Sequence, residues 1–159
     1  MNVESWILWG LVATTVLTTA QGISQGLRLT RMSFPLIVGT MFTADRDKAK
    51  LYGALVHFVN GWVLSLGYVL IMESLGRANW WIGALIGLTH ALFLLVVVLP
   101  IFPSFHPRMA SEQHGSTATR FFEPPGFMGL NYGPQTPIAT LITHVLFGTV
   151  LGAFYHLKA

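Results

Sequence analysis

The sequence predicts an all-α integral membrane protein, a four-helix bundle, and three observations carry that prediction. Of its 159 residues, 53% are hydrophobic and only 9% charged, whereas a soluble domain is about a quarter charged. The apolar residues are also blocked: Ser5 to Leu27, Leu51 to Met72, Ala78 to Phe105 and Pro124 to Leu157 contain no Asp, Glu, Lys or Arg. Each block has room for the roughly 20 apolar residues that one crossing of the hydrocarbon requires. No period-2 alternation runs through them, so the spans are helices and not barrel strands.

The first helix is expected over about 5–27, stopped at the interface by Arg28 and Arg31. No basic region precedes it and it is too long for the core of a signal peptide, so it is expected to stay in the mature protein. Met32 to Phe42 is apolar but too short to span, broken by Pro35 and Gly39, and is expected in the interface or as a short connector. Thr43 reads as an N-cap, with Asp45 and Asp47 in the first turn where the helix dipole favours them. The second helix then covers about 44–74. Leu75-Gly76-Arg77-Ala78 forms a tight turn, and Asn79 caps a third helix over about 79–99, which Pro100 and Pro103 are expected to end. Residues 102–136 form a long loop rich in Pro and Gly. Thr136-Pro137 gives an N-cap and a first-turn proline for a fourth helix over about 137–157. The whole chain, 1–159, reads as one transmembrane domain.

Orientation follows from charge. Arg28, Arg31, Arg46, Lys48 and Lys50 flank the first loop, and Arg108 and Arg120 lie in the third, so five plus two of the nine Lys and Arg share one side. The positive-inside rule makes that side cytoplasmic and puts both termini outside the cytoplasm. Trp6, Trp9, Trp80, Trp81 and Tyr155 fall at the opposite interface, as an aromatic belt does. The expected location is a bacterial cytoplasmic membrane, since the chain has the general look of small four-helix proteins there. The net charge of +3 is explained by topology and anionic lipid, with no nucleic-acid partner implied. There is no cysteine, which excludes disulfides, thiolate metal sites and cysteine nucleophiles.

Small and polar residues recur inside the spans. Thr14, Thr18, Gln21 and Gln25 occupy one face of the first helix, beside the GxxxG pair Gly22 and Gly26. The second helix offers Gly53, His57, Asn60 and Gly61; the third Gly83, Gly87 and His90; the fourth Thr140, His144, Gly148 and Gly152. The glycines are expected to let helices approach closely. The histidines ask for more. At the helical rise, His57 lies about 9 Å in from Leu51, His144 about 10 Å in from Pro137 and His90 about 15 Å in from Pro100. Ionisable groups at such depth are costly unless paired or wetted, which marks them as candidates for function; the plainer account is three neutral rings bonded to neighbouring Thr, Gln or carbonyls.

Two imidazoles from different helices can ligate haem b, here His57 and His144, with Arg28, Arg31 or Arg46 for the propionates. A quinone or other lipid-like ligand held by His57, His90, His144, Gln21, Gln25 and Asn60 is the colourless or weakly coloured alternative. No Asp or Glu lies within the hydrophobic spans and no inverted repeat is evident, which argues against a proton pump or ion-coupled carrier. In the loop, His106, Glu112 and His114 could ligate a metal, although their spacing fits no standard motif. Phe121 to Pro137 alternates aromatics with Gly and Pro, and is expected to fold back as a lid or to dock on another protein. No catalytic motif occurs. The leading expectation is therefore a non-enzymatic accessory or assembly subunit of a larger membrane complex, its protein contacts made through Phe121–Pro137 and the glycine-rich faces and its remaining surface in lipid. A redox or ligand-binding bundle comes second and a small transporter third.

Overall fold

The computed structural model describes residues 1–111, 114–120 and 122–158. Among them the fold is all-helical, with four helices long and apolar enough to cross a membrane: α1 (Val3–Gly26), α3 (Arg46–Ser74), α4 (Trp80–Phe105) and α5 (Thr136–Phe154). The short α2 (Phe34–Gly39) lies between α1 and α3. This architecture is compatible with a multi-pass membrane protein. Large apolar side chains such as Leu8, Leu55, Leu85 and Ile138 are more than half exposed on the outer faces, where lipid contact suits them. One end of the bundle carries both termini and the turn 75–79 (the terminal face); the other carries the two long connections (the loop face).

The helices sit in the order α3, α1, α5, α4 around the bundle, and three of the four seams are close. Between α4 and α5 the backbones touch: a Cβ on Gly83 would overlap the Gly148 carbonyl, one on Gly148 the Gly83 carbonyl, and one on Gly87 the His144 carbonyl. Gly152 packs against Asn79 and Gly83 in the same way. The α1–α3 seam uses Gly61 against Thr14, and Gly10 against Ser65. There the Trp6 indole donates to Ser65 Oγ at 2.9 Å and stacks on Trp62. Small residues allow this approach where apolar burial gives helices in lipid little reason to associate. Thr14 and Thr18 satisfy their hydroxyls on the carbonyls of Gly10 and Thr14, within their own helix. The fourth seam is different: α3 and α4, although consecutive in sequence, hardly touch.

Several boundaries differ from the expectations. Pro100 and Pro103 do not end the third span, which continues to Phe105. Just ahead of them, Leu94–Val98 is a π-helical turn, and Leu99 N–H reaches back to the Leu94 carbonyl. A proline ring clashes with the carbonyl four residues earlier in a regular helix, and a widened turn relieves that clash. The N-cap of α3 is Asp45, whose carboxylate accepts from Asp47 N–H and Lys48 N–H, while Thr43 Oγ accepts from Asp45 N–H. Thr136 does not cap α5, because its hydroxyl is bonded to Thr30 Oγ at 2.7 Å. α5 stops at Phe154, where Tyr155 turns extended; His156 N–H then ties the tail to Ser5 Oγ. Asn79 does cap α4, accepting from Ile82 N–H, and Gly76 turns the chain at φ +62°. Asn79→Ala is expected to lower thermal stability in detergent by about 1 kcal/mol; an unchanged melting temperature would mean that the cap is idle.

The loop face is built, not loose. Met32 and Ile37 pack with Leu95, Leu99, Met109 and Tyr132 into a core, with Phe34, Phe102 and Phe122 against it. The loop thus folds back onto its own bundle: Tyr132 carbonyl accepts Arg31 N–H, and Tyr132 hydroxyl donates to the Glu123 carbonyl at 2.6 Å. A clasp joins the loop to the end of α2. His106 Nδ1 accepts Arg108 N–H, so the proton sits on Nε2, which donates to the Ile37 carbonyl at 3.0 Å. Arg108 donates to the Thr40 carbonyl at 2.6 Å, completing the end of α2. Burial, helped by the Arg108 charge and opposed by the Ile37 bond, lowers the His106 pKa below its usual 6.5. A base with a depressed folded pKa contributes stability above its unfolded value, which is lost as pH falls below that value. The clasp is therefore expected to hold above about pH 6.5 and to weaken progressively below it. Limited proteolysis between residues 106 and 135 should accelerate on acidification, and His106→Asn should flatten that dependence. Equal cleavage rates at neutral and acid pH would contradict this.

Candidate functional site

Between the loop-face core and a second core at the terminal face, built from Leu17, Tyr68, Val69, Met72, Phe147 and Leu151 among others, the bundle is hollow. A cavity of about 290 Å³ lies there, and Gln21, His57, Asn60, His90, Thr140 and His144 supply its polar wall. Leu17 and Phe147 bound it toward the terminal face, Met32 and Phe34 toward the loop face. The three histidines expected at similar depth are thus brought together from α3, α4 and α5, and α1 adds Gln21.

The rings are individually fixed. His144 Nδ1 lies 2.8 Å from the Thr140 carbonyl one turn back; a carbonyl only accepts, so Nδ1 carries the proton. A charged imidazole at this depth is costly, and the neutral ring then presents Nε2 as a lone pair. His90 meets His144 edge to face, ring centroids 5.0 Å apart, and its Nδ1 is held 2.8 Å from the Tyr68 hydroxyl of α3. His57 is buried, with Phe34 at its edge. His57 Nε2 and Gln21 Oε1 are buried without any hydrogen-bond partner, two of only three such side-chain atoms among the described residues, the third being Trp62 Nε1. Next to Gln21 a void of about 20 Å³, lined also by Thr30, Thr140 and Thr143, is large enough for one water.

Other expected site residues lie elsewhere. Gln25 does not line the cavity. Arg28 is exposed at φ +60°, and Arg31 is engaged on the surface with the Asn131 carbonyl at 2.6 Å and with Glu123. For the haem pair His57 and His144, the cavity is at the small end of ligand pockets, which run from about 300 to 1,000 Å³, His144 is in ring contact with His90, and Arg28 and Arg31 lie outside. His106 is spent in the clasp, His114 is exposed, and Glu112 lies outside the described residues; among these, no group of three His, Asp or Glu could hold a metal. Phe121, the first residue of the expected docking segment, also lies outside them. Tyr68 was missed, yet it is legible: it follows His57, Gly61 and Ser65 at helical spacing, on the same stripe.

Comparison with family models, curated proteins and solved structures finds no match.

Proposed function

We propose that this chain is a non-enzymatic binding protein of the membrane interior that holds a small lipid-soluble compound with quinol-like or phenolic hydroxyls. The observation that carries the reading is the pair of orphaned buried atoms, His57 Nε2 and Gln21 Oε1, on residues that line one cavity. Leaving a buried polar atom unpaired costs about 1–3 kcal/mol each. A ligand with a hydroxyl at each end of one ring supplies the missing partners, because Gln21 Oε1 can only accept. His144 Nε2 accepts from a ligand hydroxyl, His57 Nε2 donates to or accepts from the opposite oxygen according to its tautomer, and the apolar walls enclose the ring. Titration with a short-chain benzohydroquinone kept reduced, followed by tryptophan fluorescence, tests this: saturable binding weakened by Gln21→Leu supports it, and a linear, collisional response identical in the variant refutes it.

The accessory-subunit reading keeps one observation in its favour. Most glycine faces are consumed inside the chain, but a Cβ added at Gly22 or Gly26 would have nothing within 4 Å, leaving one open GxxxG face on α1 for another helix. Co-purification of a partner that Gly22→Leu releases is its test. For either reading we propose a bacterial cytoplasmic membrane as the setting, and from charge we infer that the loop face is cytoplasmic and both termini are outside. Because the chain lacks cysteine, a single cysteine placed at Thr43 or at Arg77 reports sidedness. The Arg77→Cys protein should react with an impermeant thiol reagent in intact cells and the Thr43→Cys protein should not; the reverse would invert the topology.

A further inference from the structure

The open seam between α3 and α4 has a chemistry of its own. His90 and Phe93, which line the inner cavity, also line an apolar groove of about 470 Å³ on the outside of the bundle, continued by Ile71 of α3 and by Leu85, Ile86 and Thr89 of α4. Cavity and groove therefore share two side chains as a common wall. Across the seam, Asn60 is exposed while lining the cavity, and Leu64 and Phe93 are 50% and 56% exposed. A polar amide on a lipid-facing surface is unfavourable unless something passes or rests there. The Tyr68–His90 hydrogen bond, 2.8 Å long, bridges the two helices at this level. The groove beyond it presents almost no polar surface, so it suits a hydrocarbon chain and not a head group.

We propose that the compound bound here is an amphiphile, one quinol or phenolic ring carrying a prenyl or alkyl tail, and that its tail leaves the cavity between α3 and α4 past Phe93 and lies in the outer groove against lipid. The ring occupies the histidine cavity, Asn60 meets a ring substituent at the mouth, and loading is lateral, from the bilayer. The two compartments separate the ligand's two chemistries: the orphaned His57 and Gln21 atoms lie on the inner side, and Ile71, Leu85 and Ile86 on the outer. This inference rests on the binding function proposed above, and the test is arranged so that each can fail alone.

Affinities are compared for a tail-less benzohydroquinone and for its decyl derivative, both kept reduced, on the wild type and on Ile71→Trp, which fills the groove without touching the cavity. Leu85→Trp fills it from the other helix. Leu55→Trp, which lies in the groove between α1 and α3 on the opposite flank of α3, is the control. The inference expects the decyl compound to bind at least about tenfold more weakly to both groove variants, with the tail-less compound and the Leu55→Trp protein unaffected. Undiminished decyl binding in both groove variants would overturn the tail route while leaving the ring site standing. Equal loss of both compounds would also overturn it, since the tail would then not be what the groove receives. Absence of binding of either compound to the wild type would remove the site and this inference with it.

Discussion

Gly83→Val is expected to prevent the bundle from closing, and it should have the largest effect of any single substitution. A side chain at Gly83 would occupy the position of the Gly148 carbonyl, and Gly148 is placed reciprocally against the Gly83 carbonyl. The obstruction is backbone on both sides, so no rotamer change relieves it and the two helices must move apart. Overpacking a well-packed site typically costs about 1–3 kcal/mol, occasionally more, and this contact recurs at Gly87 and Gly152 along the same seam. Separation would also unseat His144, whose carbonyl faces Gly87. The expected result is loss of the monodisperse peak in size-exclusion chromatography in mild detergent. Gly22→Val, on the open face of the other GxxxG pair, should run as wild type. If the two variants behaved alike, the α4–α5 contact would not be what holds the bundle together.

His57→Leu is the second large effect, and its direction separates function from packing. In the empty protein His57 Nε2 is buried and unpaired, so an apolar residue of similar size removes a desolvation penalty and loses no hydrogen bond from that atom. Thermal stability is expected to stay level or to rise. Ligand affinity should fall by about fivefold to a hundredfold, the equivalent of one buried hydrogen bond of about 1–3 kcal/mol. Stability and binding would thus move apart, the pattern of a residue kept for its ligand at some expense to the fold. A histidine retained only for packing predicts the reverse: a lower melting temperature and unchanged binding.

The spans are legible because each requires a long uncharged run, and no tertiary context can hide that. The turn at Gly76 and the cap at Asn79 are legible because they are local. The shared depth of His57, His90 and His144 follows from counting residues from the ends of the spans. What escapes such reading depends on partners distant in sequence. Gly22–Gly26 and Gly83–Gly87 are the same motif, and only the position of α5 decides that one is used within the chain and the other is not. Thr136 reads as a cap until Thr30, more than a hundred residues earlier, engages its hydroxyl. Pro100 reads as a terminator because the π turn that accommodates it has no sequence signature. Distance along α1 places Arg28 and Arg31 near the site, but Arg28 stands exposed beyond the end of the helix and Arg31 is engaged on the surface by the Asn131 carbonyl and Glu123.

The most direct test of the histidine cavity as a ligand site is chemical analysis of what it carries. Protein purified in mild detergent would be extracted with organic solvent, and its lipid-soluble quinones and phenols quantified by mass spectrometry beside the His57→Leu/His144→Leu double variant. The account predicts one such compound in near-stoichiometric amount in the wild type and its loss from a variant that still elutes as the wild type does. Equal amounts in both proteins, or none in the wild type above the level of the surrounding lipid, would contradict it.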